Sequence, residues 1–260
     1  MNPRRAERRV AVTGLGAVTA IGATAEASWA AMRAGQCGIG PVTLFDTRGL
    51  EARNAAQVPE VPAPAGLRPG LRKRASRADL FAYAAAAEAV RDAGLDLSRE
   101  DSGRVGVALG AGAGGLLETE EYFFARLALG PGGGRISRAW GFFPSTTTDF
   151  LAAHFGAEGY TTTIMTACSS STIAIGLAGD AIRSGACDIV LAGGAEALCR
   201  LTYAGFVALR AVDPDRCRPF DRERRGMSLG EGAGILVLEE MGRALRRGVR
   251  VQAELLGWGG

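Results

Sequence analysis

Residues 161–183 read TTTIMTACSSSTIAIGLAGDAIR, and this stretch decides the predicted fold of the chain. A run of β-branched residues leads directly into Thr166-Ala167-Cys168, and a helical pattern begins at Ser169. β-Branched runs are typical of strands, and serine is common where helices begin. The stretch therefore predicts a strand over 161–167, a sharp turn that carries a thiol, and a helix.

This arrangement puts Cys168 at a helix N-terminus, where free backbone N–H groups and the helix dipole favour an anion. The thiolate is the reactive form of cysteine, and such positions favour it. The functional interpretation is a nucleophile that carries an acyl group as a thioester. The alternative is a small buried residue, which is the usual role of a free cysteine.

Composition excludes several classes of protein. The chain has 260 residues, 47% of them hydrophobic and 22% charged, which is typical of one large or two modest globular domains. A net charge of +3 gives no argument for nucleic acid. Arginine follows arginine where a signal peptide would turn apolar, and no apolar run approaches a membrane span. We therefore expect a cytoplasmic protein whose partners include neither nucleic acid nor a membrane.

The five cysteines form no CxxC pair and no metal-ligand spacing, so no metal site is predicted. An odd number of cysteines, without a signal peptide, also fits a reducing compartment. They are Cys37, Cys168, Cys187, Cys199 and Cys217.

Short apolar strands alternate with helical patterns along the chain. Strands are predicted over 9–13, 105–110, 161–167, 188–192, 233–238 and 251–256. Helices are predicted between Thr24 and Gly35, over 77–93, 118–129 and 149–155, and from Ser169. The alternation favours an α/β layered fold with a largely parallel sheet. Residues 54–72, which contain Pro59, Pro62, Pro64 and Pro69, are interpreted as an irregular surface excursion or a linker.

Two glycine-rich segments, 14–16 and 110–115, follow predicted strands and are interpreted as turns. Neither has the GxGxxG spacing of dinucleotide sites, and the chain has no GxxxxGK[ST] phosphate loop. No nucleotide cofactor is therefore predicted. The alternative role for these glycines is to let backbone segments approach closely.

Three further titratable residues are candidates for the site. His154 is the only histidine, and its position in a short helix favours a surface or capping role over catalysis. Glu196 and Glu231 follow strand ends, where α/β sites assemble. We interpret both as carboxylates that accept loop N–H groups and fix a turn.

Two basic clusters are interpreted by default as solvated surface, and the alternative is a binding surface for an acidic protein, such as a carrier protein. The first comprises Arg4, Arg5, Arg8 and Arg9, and the second comprises Arg72, Lys73, Arg74 and Arg77.

Taken together, the motifs resemble those of β-ketoacyl-[acyl carrier protein] synthases, the condensing enzymes of fatty acid and polyketide synthesis. The matching blocks occur in family order through nearly all 260 residues: RRVAVTGLGAVTAIG, GAGAGG, FFPSTTT, TACSSS, AGGAEAL, CRPFDRERRG and LGEGAGILVLEE. The resemblance implies a thiolase-like α/β layered fold. Within it, residues 1–260 form the N-terminal half, with a mixed, largely parallel five-stranded sheet flanked by helices.

The resemblance also implies roles for individual residues. Cys168 becomes the acyl-accepting nucleophile, and its backbone N–H becomes an oxyanion donor. Phe206 matches an aromatic residue that lines the acyl pocket, and Ala113 falls where relatives often carry a larger residue that limits the pocket. Acyl carrier protein is the implied source of acyl and malonyl thioesters. A homodimer, or a heterodimer with a related chain, is implied through the strand before Cys168.

The departures from the family pattern leave alternatives open. The family's second half normally supplies two histidines, a lysine and a phenylalanine gate, and none of these motifs occurs here. The chain is therefore expected to be half of a condensing enzyme. The alternatives are an acyltransferase or thioesterase that uses Cys168 alone, and a non-catalytic partner subunit. The retained cysteine argues against the last.

Overall fold

The computed structural model describes residues 8–61, 66–67 and 69–260, so Arg4, Arg5, Pro62 and Pro64 lie outside the described residues. The helices are α1 Ala25–Arg33, α2 Pro69–Arg72, α3 Arg77–Asp92, α4 Leu116–Leu129, α5 Ser145–Phe155, α6 Ser170–Arg183, α7 Arg200–Ala208 and α8 Met241–Arg247. The strands are β1 Val10–Val18, β2 Ile39–Pro41, β3 Asn54–Ala56, β4 Val105–Gly110, β5 Thr161–Ile164, β6 Ile189–Glu196, β7 Gly232–Glu240 and β8 Ala253–Glu254.

One mixed sheet, with the strand order β5-β4-β6-β7-β1-β8, organises the fold. β4 pairs parallel with β5 and with β6, whereas the β6–β7, β7–β1 and β1–β8 pairings are antiparallel. Four strands (β1, β4, β5 and β6) consequently point one way, so the largely parallel, mixed character is confirmed. The expected strand number of five is wrong, because the two-residue β8 adds a sixth strand beside β1.

Helices cover both faces of this sheet. Val107 and Leu109 of β4 belong to one core cluster with the alanines of α3, while Ala108 between them belongs to a second cluster with Ala178 of α6. Side chains alternate between the two faces of a strand. Since both faces are buried, the strand is apolar throughout, as expected for a sheet enclosed in an α/β fold.

Capping interactions mark the starts of α1 and α3, at Thr24 as the sequence predicts and at Ser76, which the sequence analysis did not identify. Thr24 accepts a hydrogen bond from Ala27 N–H at the start of α1. Ser76 and Asp79 form a capping box at the start of α3, and Gly94 follows that helix with a φ of 58°. These local interactions satisfy N–H groups that would otherwise lack partners, so the helix boundaries are set close to the predicted ones.

The segment 14–16 is strand, not the predicted turn, because β1 continues to Val18 with a register shift between Val12 and Gly14. A side chain at Gly14 would overlap the carbonyl oxygen of Ala89 on α3, and one at Gly16 would overlap that of Ala85. The glycines therefore allow α3 to lie directly on the strand, as the alternative interpretation proposed.

The other differences lie in elements that depend on tertiary contacts. The excursion over 54–72 contains β3, which pairs with β2, and the single-turn helix α2. The sequence patterns did not predict α7 or α8. None of the helices in the described part of the chain is long and apolar enough to cross a membrane.

Candidate active site

Cys168 lies exposed on a turn between β5 and α6. A 3₁₀ turn spans Ala167–Ser169, and α6 begins at Ser170. Ala167 has a φ of 54°, in the left-handed region, which costs a non-glycine residue about 1–2 kcal/mol. The predicted order of strand, sharp turn, thiol and helix is confirmed, although the strand ends at Ile164 instead of residue 167.

Two serines after the cysteine hold this strained turn. The buried Ser170 hydroxyl accepts a hydrogen bond from Thr166 N–H at 2.9 Å and donates one to the Ala167 carbonyl at 2.7 Å. Ser169 donates to the Thr166 carbonyl at 3.0 Å. Each bond contributes roughly 0.5–1.5 kcal/mol, which is enough in sum to offset the strain. Sequence reasoning missed this role, although serines that bond to nearby backbone are a known turn signal.

The end of β4 lies against the start of α6. A side chain at Gly110 would overlap the backbone of Ser170 and Ser171. The glycine therefore permits the first turn of α6, which begins two residues after Cys168, to contact the sheet directly.

A mainly apolar cavity of about 380 Å³ adjoins the thiol and brings together the three predicted site residues, Cys168, Ala113 and Phe206. This volume falls in the range of small-molecule pockets. The other lining residues are Gly112, Leu116, Ala167, Glu196, Ala197, Leu198, Cys199, Thr202, Tyr203, Leu229 and Gly230. A second, more polar cavity of about 360 Å³ lies beside it, and both are lined by Gly112, Ala167 and Glu196.

Glu196 fixes the loop that carries Ala113. Its carboxylate accepts hydrogen bonds from Gly112 N–H at 2.8 Å and from Ala113 N–H at 2.9 Å. Burial raises the pKa of Glu196, and the two N–H donors oppose that rise by stabilising the charged form. The interpretation of Glu196 as a carboxylate that fixes a turn agrees with these contacts.

Glu231, which lines the polar cavity together with Glu196, plays the same part for other loops. It accepts N–H groups from Val58 at 2.9 Å and from Leu198 at 3.0 Å, and it forms a two-pronged ion pair with Arg77 at 2.6 and 2.9 Å. The Arg77 side chain is only 11% exposed and that of Glu231 is fully buried. Arg77 therefore does not belong to the exposed basic cluster, which is reduced to Arg72, Lys73 and Arg74.

His154 lines neither the apolar cavity at Cys168 nor the polar cavity beside it. Its ring packs edge-on against Tyr83, with centroids 4.4 Å apart, and it lines a different cavity from Cys168. The contacts agree with the prediction that His154 has a non-catalytic role.

The structure adds α7 to the site, which the sequence patterns did not predict. Thr202, Tyr203 and Phe206 of this helix form one wall of the cavity. Only Phe206 was a predicted pocket residue, and it came from the family resemblance. Residues 200–208 carry only a weak apolar stripe, and Gly205 within it disfavours a helix, so the local sequence contains little indication of α7.

Comparisons with known proteins agree with this geometry. A family profile described as the N-terminal domain of beta-ketoacyl synthase matches residues 7–244. The chain is 38% identical over 267 residues to 3-oxoacyl-[acyl-carrier-protein] synthase 2 of Vibrio cholerae, covering 97% of this chain and 63% of the relative. It therefore spans less than two thirds of that relative's length.

Two solved structures are similar in fold. The ishigamide ketosynthase/chain length factor superposes with a TM-score of 0.90 at 38% identity, covering 97% of this chain and 63% of that one. A type II polyketide ketosynthase, solved in complex with its acyl-carrier protein, gives a TM-score of 0.83 at 31% identity, covering 96% and 62%.

Cys168 should react fastest of the five cysteines with iodoacetamide near neutral pH, because its thiol is exposed at a helix start. Burial raises the pKa values of Cys187 and Cys199, so these thiols should react slowly. Cys37 is also exposed and serves as the internal control. Mass-spectrometric mapping that finds Cys37 labelled before Cys168 would contradict an activated nucleophile.

Proposed function

Because the chain belongs to the beta-ketoacyl synthase family, we propose that it forms the acyl-accepting N-terminal half of a condensing enzyme in fatty acid or polyketide synthesis. The observation that carries the proposal is the exposed Cys168 thiol on a strained turn beside an apolar cavity. Such a cavity suits the alkyl chain of an acyl thioester whose carbonyl carbon lies at the Cys168 sulfur. The same observation disfavours a non-catalytic partner subunit, which needs no thiol there.

The first chemical step is thioester exchange. The Cys168 thiolate attacks the carbonyl carbon of an acyl-carrier thioester, the tetrahedral intermediate collapses, and the carrier leaves as its thiolate. The N–H of Cys168 is the proposed donor to the oxyanion of that intermediate. In this scheme Ala113 leaves room in the cavity for the acyl chain, and Phe206 contacts the chain.

The second step is decarboxylative condensation. Malonyl-carrier loses CO2, and the resulting enolate attacks the acyl-cysteine, releasing the 3-ketoacyl-carrier and regenerating the cysteine thiolate. This step needs donors that stabilise an enolate. His154, the only histidine in the sequence, lies at another cavity. We therefore propose that the enolate donors belong to a second half or partner chain, and that they enter through the polar cavity beside Cys168.

The 260 residues alone should accept an acyl group but make almost no 3-ketoacyl product. Loss of one preorganised oxyanion donor typically lowers the rate about 10²–10³-fold, and here two enolate donors are missing. The measurement is incubation with acyl-carrier and malonyl-carrier thioesters, followed by mass spectrometry of the intact protein and of the product. Cys168→Ala is the control that locates the acyl group. Ketoacyl product at an enzymatic rate would show that other groups in these residues replace the histidines.

The exposed basic cluster of Arg72, Lys73 and Arg74 is the proposed docking surface for an acidic carrier protein. The three residues precede α3, and their side chains are exposed. Complementary surface charge mainly raises the rate of encounter between partners.

Reversing two of these charges, with Arg72→Glu and Lys73→Glu, should raise the carrier concentration needed for half-maximal acylation roughly tenfold, since each exposed pair contributes about 0.2–1 kcal/mol and reversal adds repulsion. Acylation by a coenzyme A thioester should be unaffected. The matched control is Arg91→Glu with Arg99→Glu, which changes the net charge equally; Arg91 lies near the other end of α3 and Arg99 follows that helix. If the two double variants raise the carrier concentration needed for half-maximal acylation equally, the proposed docking surface is contradicted.

We also propose that β5 mediates a dimer, with a second copy or with a related chain. Within the described residues β5 pairs only with β4 and forms one edge of the sheet. An edge strand presents unpaired backbone groups that can pair with another chain. Sedimentation velocity at low micromolar concentration should therefore detect a dimer or larger species, and a stable monomer would contradict self-pairing at this edge.

A further inference from the structure

The first turn of α7 lacks a cap from its own sequence. Cys199 occupies the N-cap position, and its side chain makes no capping hydrogen bond. Instead, its sulfur contacts the hydroxyl of Thr202 at 3.1 Å. Helix N-termini leave backbone N–H groups without partners inside the helix, so another segment must satisfy them.

Glu120 of α4 supplies the missing acceptor. Its carboxylate accepts hydrogen bonds from Arg200 N–H at 3.0 Å and from Leu201 N–H at 2.6 Å, the first two residues of α7. A negative charge at this end is also stabilised by the helix dipole. A side chain 80 residues earlier in the chain therefore fixes where α7 begins.

The position of α7 matters because this helix forms one wall of the cavity at Cys168, through Thr202, Tyr203 and Phe206. Tyr203 is fully buried, and its hydroxyl donates to the Asn54 carbonyl at 2.9 Å. α7 is thus held on its buried side by Tyr203 and at its start by Glu120.

We propose that Glu120 is a positioning residue that sets the shape of the acyl cavity through α7 and thereby the length of acyl chain that Cys168 accepts. The proposal rests on the proposed function, because it assigns the selectivity of the same cavity. Without the carboxylate, the first turn of α7 loses both acceptors, and the wall formed by Thr202 and Phe206 keeps its anchor at Tyr203 but loses the one at its start. A long chain must contact that wall, whereas a very short group reaches the exposed thiol without it.

The test compares two alkylating reagents on Cys168, iodoacetamide and N-octyl iodoacetamide, which differ only in the chain. Glu120→Ala should lower the rate of the octyl reagent relative to the small one roughly tenfold, which corresponds to about 1.4 kcal/mol. Glu120→Gln keeps one of the two acceptor oxygens and replaces the other with an NH2 donor, so it should restore only part of the ratio. Glu121→Ala is the matched control, because the neighbouring Glu121 is exposed and pairs with Arg138 instead of α7.

Hydrogen exchange of the α7 amides gives a second readout that does not depend on cysteine chemistry. Exchange at the start of α7 should rise in Glu120→Ala and not in Glu121→Ala. If both reagents slow equally, or if α7 exchange and the rate ratio stay unchanged, the proposal is overturned. If Glu120→Ala fails to fold, Glu120→Asp is tested instead, because its side chain is one methylene shorter and holds the carboxylate farther from α7. It should lower the rate of the octyl reagent relative to iodoacetamide, and an unchanged ratio overturns the proposal.

Acyl transfer is measured in parallel with acetyl and octanoyl thioesters of the carrier protein. If the native protein takes up neither acyl group while Glu120→Ala still changes the alkylation ratio, the proposed function fails and the positioning role of Glu120 stands. If acyl transfer occurs but the ratio of octanoyl to acetyl transfer is the same in both alanine variants, the proposed function stands and the positioning role fails.

Discussion

The buried ion pair between Arg77 and Glu231 holds together the segments on which the site is built. It joins the start of α3, the residue before β7, the loop at Val58 and the approach to α7 at Leu198. Removing one partner of such a pair typically costs about 3–5 kcal/mol, because the remaining charge stays buried without compensation. The N–H groups that Glu231 accepts add to this cost, since they too would lose their partner.

The same physical solution recurs around the cavity. Loops at strand ends leave backbone N–H groups without partners, and burial makes that expensive. Glu231 accepts hydrogen bonds from the N–H groups of Val58 and Leu198, and Glu196 accepts them from Gly112 and Ala113. Glu120 accepts them from the first two residues of α7. Gly112, Ala113 and Leu198 line the cavity, whereas Arg200 and Leu201 begin the helix that forms one of its walls. The cavity is therefore built from segments distant in sequence, and these carboxylates pair several of their backbone N–H groups.

The elements that the sequence predicted correctly depend on local signals, whereas those that it missed depend on contacts between distant segments. β4, α3 and the turn at Cys168 depend on local signals, namely an apolar run, a helical pattern and a β-branched strand followed by serines, and their predicted positions were close. The continuation of β1 through Gly14 and Gly16 depends on α3 pressing against it, and the start of α7 depends on Glu120 from another helix. The periodicity of apolar residues along one segment cannot predict contacts with a segment distant in sequence. Ala113 and Phe206 were found only through the family resemblance, because nothing local marks either as a pocket residue.

The way the carboxylates are used also limits the chemistry available to Cys168. Glu196 lines the cavity beside the thiol, but its two oxygens already accept the N–H groups of Gly112 and Ala113. Glu231 is occupied in the same way by Arg77 and two loop N–H groups. Taking up a proton would weaken the contacts that hold the walls, so neither group can serve as a general base without cost to the cavity.

Thioester exchange needs only the thiolate and an N–H donor, whereas condensation needs donors for an enolate. Under the proposed function, the carboxylates that build the site are thus compatible with thioester exchange, and condensation depends on other groups.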